Sequence, residues 1–240
     1  MNKMGKDITK SLLGKGASLI GFADLDEIPA NARSSLRYAV SIAVALDAPT
    51  IARIRSGPTQ EYYSEYKRAN ALLSELGEYT ARVLRENGYE AISKAPTYVG
   101  IDPKTQSTTL PHKTVATRAG LGWIGKCALL VSKQYGSAIR LITVLTNANL
   151  DTGVPMNESA CGDCMVCVKA CPASAPSGKN WKVGLHRASF FNAFSCCRGA
   201  REQAIAKIGV QDTICGICIS VCPWTKKYIR RSSSRVQTPD

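Results

Sequence analysis

Two cysteine runs in the last third of the chain restrict its fold more than any other feature of the sequence. The first run reads CGDCMVCVKACP and begins at Cys161, and the second reads CGICISVCP and begins at Cys215. Cysteines spaced in this way lie on tight turns, so that their thiolates converge on one small object and each reaches a different iron of a cubane. The spacing therefore predicts [4Fe–4S] clusters.

The order of the cysteines predicts two clusters with crossed ligands. In bacterial two-cluster ferredoxins, the cysteine that precedes the proline binds the other cluster. Cluster I accordingly takes Cys161, Cys164, Cys167 and Cys222. Cluster II takes Cys171, Cys215 and Cys218, and it needs one further ligand from the adjacent pair Cys196 and Cys197. Adjacent side chains diverge, so we expect one of the pair to bind and the other to be a buried thiol.

The distribution of cysteine argues against two other interpretations. Nine of the ten cysteines follow residue 160, and only Cys127 precedes them. A set confined to one region indicates local ligands rather than a disulfide framework. Zinc also binds four cysteines, but zinc sites use separated CxxC pairs rather than this continuous run.

The chain is basic, with a formal net charge of +13. Two oxidised clusters with their thiolates would each carry about −2 and lower this value by roughly 4. The densest basic stretch is formed by Lys226, Lys227, Arg230, Arg231 and Arg235. It predicts either a solvated basic tail or a site for RNA or an acidic partner.

Hydropathy predicts a cytoplasmic protein with no membrane partner. Hydrophobic residues make up 45% of the chain, which is enough for a real core. No apolar run reaches the roughly 18–20 residues needed to span a bilayer. The first residues, MNKMGKDITKSLLGKG, lack the pattern of a secretory signal.

Strands and helices mix without regular βαβ alternation, which predicts an α+β fold. Apolar periodicity predicts a long helix from Thr59 to Asn87 that ends at Gly88. The other predicted elements are helices at 7–17 and 113–120, strands at 18–25, 37–46 and 89–94, a turn at 120–125, and a hairpin pairing 127–133 with 137–147. The predicted domains are an α+β cofactor- or substrate-binding domain at 1–150, a two-cluster module at 151–228 and a flexible basic tail at 229–240.

The segment AGLGWIGK (119–126), followed by a YGS turn and both cysteine runs, resembles the epoxyqueuosine reductase family. The resemblance covers roughly residues 90–228. It implies a nitroreductase-like α/β sandwich that binds base-off cobalamin, followed by a bacterial-ferredoxin-like two-cluster module, as also in reductive dehalogenases. A low-potential cluster can reduce such a corrinoid, which then carries the difficult chemistry.

The resemblance also implies a set of cofactor-binding residues, namely Arg118, Gly120, Leu121, Gly122, Trp123, Ile124, Gly125 and Lys126. Glycine allows the backbone to approach a large flat ligand closely. The alternatives are a tight structural turn, a core tryptophan and ordinary surface charge. A flavin is compatible with such a fold, but no feature of the sequence selects it.

The catalytic residues implied by the family are only partly matched. The family's aspartate aligns without gaps with Gln106, which cannot donate a proton as an acid. The nearest acid is Asp102, and His112 is a second candidate as a proton donor or axial ligand. The alternative for His112 is a loop histidine bonded to the backbone. The family's cysteine follows a short turn at a spacing that Asn192 and Cys196 reproduce, which favours Cys196 over Cys197.

The sequence thus predicts an iron–sulfur oxidoreductase that passes electrons through two clusters to a bound corrinoid and acts on a substrate different from that of the family. The expected partners are a low-potential donor such as a flavodoxin or ferredoxin, and a corrinoid or small-molecule substrate. One alternative is a ferredoxin-like carrier that docks a partner enzyme. Another is a short tRNA-modifying epoxyqueuosine reductase, which the replacement at Gln106 and the lack of the family's C-terminal helical repeat disfavour.

Overall fold

The structure, a computed structural model, describes residues 2–97 and 101–236. Its elements, in chain order, are α1 (Lys3–Gly14), β1 (Leu19–Asp24), β2 (Tyr38–Ala45), α2 (Ala48–Arg53), α3 (Gln60–Glu86), β3 (Ala91–Ser93), α4 (His112–Arg118), β4 (Trp123–Ile124), β5 (Leu130–Val131), β6 (Ile139–Thr146), α5 (Val166–Lys169), α6 (Ala193–Ile208), α7 (Ile217–Val221) and α8 (Pro223–Val236). Short 3-10 turns lie at Ile54–Ser56 and Arg187–Ser189. The predicted mixture of helices and strands is confirmed.

The chain forms two compact units that are interleaved along the sequence. Unit 1 comprises residues 1–45, 68–122 and 140–156, and unit 2 comprises residues 46–67, 123–139 and 157–240. The sequence predicted contiguous domains because its clearest connector lies near residue 150. In the structure, residues 46–67 and 123–139 belong to the same unit as the cysteine-rich region. Helix α2, in the first of these segments, packs against both α7 and α8.

Unit 1 is built on a four-stranded sheet with the order β1-β2-β6-β3. Strands β1 and β2 are antiparallel, with Leu19 opposite Ala43, and β3 is antiparallel to β6. Helix α4 packs on β1 and β2. Gly21 makes that approach possible, because a Cβ there would lie 2.8 Å from Leu121 Cδ2 and 2.9 Å from the Ala119 carbonyl.

The long helix α3 begins and ends close to the predicted residues. The Thr59 hydroxyl accepts a hydrogen bond from the Tyr62 N–H at 3.2 Å, as expected of a residue at a helix start. Gly88 has φ +84, the left-handed conformation in which glycine commonly follows a helix. Further along α3, Gly77 lies against Ile142 of β6, where a Cβ would come within 2.6 Å of the isoleucine.

Unit 2 holds the two-stranded sheet β4-β5 and helices α2 and α5–α8. The Tyr228 hydroxyl of α8 donates to the Leu46 carbonyl at 2.9 Å. Gly136 lies directly against the backbone of Thr225, leaving no room for a side chain. These contacts tie residues 46–67 and 123–139 to the cysteine-rich region, although they are distant in sequence.

The predicted pairing of 127–133 with 137–147 is wrong. The second predicted strand, β6, joins the four-stranded sheet, while β5 pairs with β4 through Trp123–Val131 and Ile124–Leu130. The predicted turn at 120–125 therefore contains a strand. Trp123 and Ile124 are both buried. Their backbone groups therefore need hydrogen-bond partners and their side chains need packing partners, and a turn would supply neither.

The predicted helix at 7–17 begins earlier, at Lys3, because the Asn2 side chain accepts a hydrogen bond from the Gly5 N–H and caps the helix. The predicted tail at 229–240 also differs. Residues 229–236 continue α8, and residues 237–240 lie outside the described residues. Within the described ranges, no helix combines the length and the apolar character that a bilayer crossing requires.

Candidate functional site

The first cysteine run forms a compact turn followed by a short helix in unit 2. The Cys164 N–H donates to the Cys161 carbonyl at 3.1 Å, and Gly162 between them has φ +54. Helix α5 then carries Cys167, and the chain turns again at Cys171. The Ala175 N–H points at the Cys171 sulfur at 3.4 Å. The first run therefore forms the tight turn that its spacing predicts.

The second run is built from two helix termini. Gly216 adopts φ +83 at the start of α7, and a Cβ there would lie 2.5 Å from Ile54 Cδ1. Helix α7 carries Cys218 and ends at Cys222. Pro223 then begins α8, where a missing N–H costs nothing and the fixed φ suits a helix start. A new helix therefore begins directly after the last cysteine of the run.

Backbone amides point at the cysteine sulfurs of this run. The Ile217 N–H bonds to the Cys215 sulfur, and the Trp224 and Thr225 N–H groups bond to the Cys222 sulfur. Burial nevertheless dominates and raises the pKa of both thiols. Metal binding must therefore remove protons that the fold alone would retain. Amide donors stabilise the resulting thiolates.

The two runs approach each other in a crossed pattern. The Cys161 thiol lies near enough to Cys222 to raise the pKa of that thiol electrostatically, and the Cys171 thiol acts in the same way on the pKa of Cys215. Helix α5 also packs against α7. Each pair joins the cysteine before the proline of one run to the first cysteine of the other run, as the two-cluster arrangement requires.

The described cysteines form neither a disulfide nor a site for a single ion. None of the ten cysteines is in a disulfide bond. Among the described residues, no group of three cysteine, histidine or acidic side chains converges on the position of a single metal ion. Zinc at about 2.3 Å from each sulfur would hold its ligand sulfurs within about 4 Å of one another. A cubane binds its thiolates through separate iron corners, which lie farther apart.

A buried cation lies beside the first run. The Lys126 side chain is only 4% exposed, and its ammonium donates to the Met165 thioether at 3.5 Å. It also interacts electrostatically with Cys167. Within the described part of the chain no carboxylate forms an ion pair with it. Burying an ammonium without a counter-charge is costly, and an anionic cluster at Cys167 would supply that charge.

An unpaired donor lies in the same unit. The Trp123 side chain is fully buried, and its indole N–H has no acceptor among the described residues. Trp123 packs edge-on against Trp224, the second residue after Cys222, with ring centroids 5.3 Å apart. A buried donor without an acceptor costs about 1–3 kcal/mol. A sulfur of a bound cluster is one acceptor that would remove this cost.

Most of the residues predicted to bind a cofactor are interior or already engaged. Residues 122–126 are buried, and Trp123 packs in the core instead of presenting a face. In unit 1, Arg118 is 6% exposed and donates to the Met156 carbonyl at 2.9 Å. Leu121 packs on the apolar core of that unit. Gly120 is exposed, but its φ of +74 and the nearby Val154 carbonyl already require glycine.

The catalytic candidates all lie in unit 1. Asp102 is exposed, and its carboxylate accepts hydrogen bonds from the Lys104 N–H at 2.8 Å and the Thr105 hydroxyl at 3.0 Å. These are the bonds of an Asx turn. Gln106 closes the same turn through its N–H to the Asp102 carbonyl and has φ +52. Of the preceding loop, residues 98–100 lie outside the described residues.

Both ring nitrogens of His112 are hydrogen-bonded. Nε2 lies 3.0 Å from the Ala95 carbonyl, which can only accept, so Nε2 carries the proton. Nδ1 then accepts from the Thr143 hydroxyl at 2.9 Å. Burial chiefly, together with the charges of Arg140 and Lys94, lowers the pKa of His112, and the Ala95 bond only partly offsets this. The ring is therefore neutral at pH 7 and held at both ends.

Several features of the site were not predicted from the sequence. Lys126 was predicted as a corrin contact, yet its described partner lies in the first cysteine run. Cys127 was identified only as an isolated cysteine, yet it is buried in the turn between β4 and β5. The sequence signal was available in principle, since a lysine and a cysteine directly follow the glycine-rich segment.

Comparison with known proteins connects these features to two groups of reductases. Residues 160–225 match the family described as 4Fe-4S double cluster binding domain. The epoxyqueuosine reductase of Lactococcus garvieae (strain Lg2) is 33% identical over 170 residues, which cover 68% of this chain and 46% of that protein. The chain thus spans less than half the length of the curated relatives it matches. These matches confirm the predicted resemblance.

Solved structures share the fold. A catabolic reductive dehalogenase, NpRdhA in complex with 3-bromo-4-hydroxybenzoic acid, matches with a TM-score of 0.71 and 18% identity, covering 97% of this chain and 34% of that one. An epoxyqueuosine reductase with an epoxyqueuosine-modified tRNA-Tyr stem loop matches with a TM-score of 0.62 and 18% identity, covering 93% of this chain and 66% of that one. At these identities the likeness concerns the fold alone.

The lowered pKa of His112 makes stability depend on pH. The folded ring stays neutral below its ordinary pKa of 6.5, whereas the unfolded chain binds a proton there. Stability from this group is thus present above pH 6.5 and is lost as the pH falls. We expect the thermal midpoint to fall more for wild type than for His112→Gln between pH of about 7.5 and about 5.5.

The matched control is His186→Gln, the same change at the other histidine, whose ring accepts a bond from the Ala188 N–H. Circular dichroism melts of the anaerobic protein supply the midpoints. An equal fall of the thermal midpoint in wild type and His112→Gln would contradict the conclusion that the His112 imidazole is held neutral in the folded protein.

Proposed function

Because the chain is related to the epoxyqueuosine reductases, we propose that it is an iron–sulfur reductase whose unit 2 carries two [4Fe–4S] clusters. The crossed approach of Cys222 to Cys161 and of Cys215 to Cys171 is the observation that supports this most strongly. The match to residues 160–225 lies within the module that the sequence predicted at 151–228. The clusters supply one-electron transfer at low potential.

The proposed ligand sets follow from that crossing. Cluster I is held by Cys161, Cys164, Cys167 and Cys222, and cluster II by Cys171, Cys215, Cys218 and Cys196. The protein's own groups prepare both sites. Backbone N–H groups point at three of these sulfurs, and the buried ammonium of Lys126 offsets negative charge beside Cys167. Such bonds and charges favour thiolates and raise cluster potentials.

Helix α6 favours Cys196 over Cys197 as the eighth ligand. Gly199 packs tightly against Ala173, where an added Cβ would lie 2.6 Å from the alanine Cβ. Ala173 is two residues after the cluster II ligand Cys171. Residues three apart share a helix face, so Cys196 lies on the face of Gly199, whereas Cys197, two residues away, lies on another.

Removing each thiol separately tests this choice. We expect Cys196→Ala to lower the iron content of the reconstituted chain from about eight toward about four atoms, because cluster II loses a ligand. Cys197→Ala is the matched control and should keep about eight atoms. Iron analysis and EPR of the reduced proteins provide the measurement. Iron loss in Cys197→Ala with none in Cys196→Ala would reverse the assignment.

We further propose that unit 1 is the nitroreductase-like part of the protein and that a corrinoid accepts the electrons. The support is the confirmed resemblance and the fold shared with the reductive dehalogenase. The side chains predicted to contact it fit poorly, since residues 122–126 are buried and Arg118 and Leu121 are engaged. Of the predicted contact residues, Gly120 alone is exposed, and its backbone is open to a ligand.

The proposed electron donor is a flavodoxin or ferredoxin, and the proposed substrate differs from that of the epoxyqueuosine reductases. The support for a different substrate is Gln106, which stands where the family has its aspartate. Its N–H donates to the Asp102 carbonyl and closes a turn. A tRNA substrate is the second candidate. The observation that favours it is the exposed basic side of α8, formed by Lys226, Lys227, Arg230 and Arg231.

Adding cobalamin to the reduced protein separates a corrinoid enzyme from a simple electron carrier. We expect anaerobic reduction of the reconstituted protein with cobalamin to give the EPR signal of base-off Co(II), because in the proposed function the clusters reduce a corrinoid bound to the protein. The control is the same titration with cobalamin and no protein. An unperturbed base-on spectrum beside two ordinary cluster signals would instead support a ferredoxin-like carrier that docks a partner enzyme.

A further inference from the structure

One side of helix α8 concentrates positive charge at the surface of unit 2. Four exposed cations lie on it, at a spacing that repeats on one helix face: Lys226, Lys227, Arg230 and Arg231. The helix sequence PWTKKYIRRSSSRV contains no acidic residue. Within residues 2–97 and 101–236, no carboxylate lies within ion-pair distance of these four side chains. The chain itself therefore does not neutralise the basic side of α8.

The opposite side of α8 is fixed in unit 2. Thr225 is fully buried, and the Tyr228 ring packs edge-on against Tyr135 with ring centroids 5.1 Å apart. The helix also packs against α2 and α7. The cations are thus carried by a firmly packed helix, which holds them in a defined arrangement.

The basic side begins one helical turn away from a proposed ligand of cluster I. Pro223 directly follows Cys222, and the Lys226 N–H donates to the Cys222 carbonyl at 2.9 Å. Cys222 is itself only partly buried. The Lys227 ammonium lies over the Trp224 ring, 4.5 Å from its centroid. A protein bound to the basic side of α8 would therefore lie close to cluster I.

The aromatic residues of α8 favour a protein partner over RNA. Sites for single-stranded RNA offer aromatic faces on which bases stack. The Trp224 ring packs against Trp123 and is covered by Lys227. The Tyr228 ring packs against Tyr135, and its hydroxyl donates to the backbone. Both rings are engaged within the protein, whereas a carboxylate-rich partner surface needs only the exposed cations.

We propose that the basic side of α8 is the docking surface for an acidic one-electron carrier protein, which is held there beside cluster I. This proposal rests on the proposed function, in which a flavodoxin or ferredoxin is the donor. With a flavodoxin, one electron leaves the anionic flavin hydroquinone, which becomes the neutral semiquinone, and one cluster passes from [4Fe–4S]²⁺ to [4Fe–4S]⁺. Opposite charges across the interface speed the encounter and orient the carrier.

Stopped-flow reduction of the anaerobically reconstituted full chain by flavodoxin hydroquinone tests this surface. We expect the second-order rate constant to fall steeply between about 0.01 M and about 0.15 M salt, because the Debye length shortens from about 30 Å to about 8 Å. Lys226→Glu combined with Lys227→Glu should lower the low-salt rate constant about tenfold or more and flatten its salt dependence. The limiting rate at saturating flavodoxin should change less, since the substitutions act on association.

The matched control is Lys6→Glu combined with Lys10→Glu, which makes the same change of net charge at exposed residues of α1 and should keep the wild-type rate constant. Equal slowing in both double variants would overturn the proposal, because net charge rather than a docking surface would then set the rate. A wild-type rate that is absent or independent of salt would also overturn it.

Gel-shift titration with transfer RNA separates the alternative partner. Loss of transfer RNA binding in Lys226→Glu with Lys227→Glu, together with an unchanged flavodoxin rate constant, would overturn the proposal and assign the surface to RNA. Reduction by dithionite tests the proposed function separately, because it needs no docking surface. Absence of two cluster signals in dithionite-reduced wild type would contradict the proposed function itself, whatever the α8 variants do.

Discussion

The structure of unit 2 depends on bringing two cysteine runs, about fifty residues apart, into contact in a crossed order. Cys161 approaches Cys222, and Cys171 approaches Cys215. A crossed arrangement cannot be made by either run alone, so it depends on the packing of helices around both runs. Helix α7 packs against α2, α5 and α8, and α2 also packs against α8. At Gly216 and Gly136, neighbouring atoms leave no room for a side chain.

The partial burial of the cysteines gives a role to the charges around them. Without metal, burial raises the pKa of Cys215 and Cys222, and the thiols keep their protons. The helix starts and the Lys126 ammonium are arranged for the opposite state, in which the sulfurs are negative. An amide or ammonium aimed at a neutral thiol gains little, whereas the same group aimed at a thiolate gains a charge-assisted bond. The site is therefore organised for bound clusters, and cluster binding and folding are coupled.

Most of what could be predicted from the sequence depended on the spacing of residues within short segments. The cysteine runs, the capped helix from Gln60 to Glu86 and the turn at Pro223 follow from rules that act within a few residues. The interleaving of the units could not be predicted, because the contact of α2 with α7 and α8 depends on tertiary packing. The pairing of β5 failed for a related reason, since Trp123 and Ile124 read as a glycine-rich turn until their burial is known. Lys126 was visible in the sequence, but its hydrogen-bond partner Met165 is 39 residues away along the chain.

Mössbauer spectroscopy with iron and sulfide quantification, on the wild-type chain reconstituted without oxygen, tests the central claim most directly. Two cubanes require about eight iron and about eight sulfide per chain, with all iron in [4Fe–4S] environments. About four iron per chain, or zinc in place of iron with no sulfide, would contradict the two-cluster arrangement on which the proposed reductase depends.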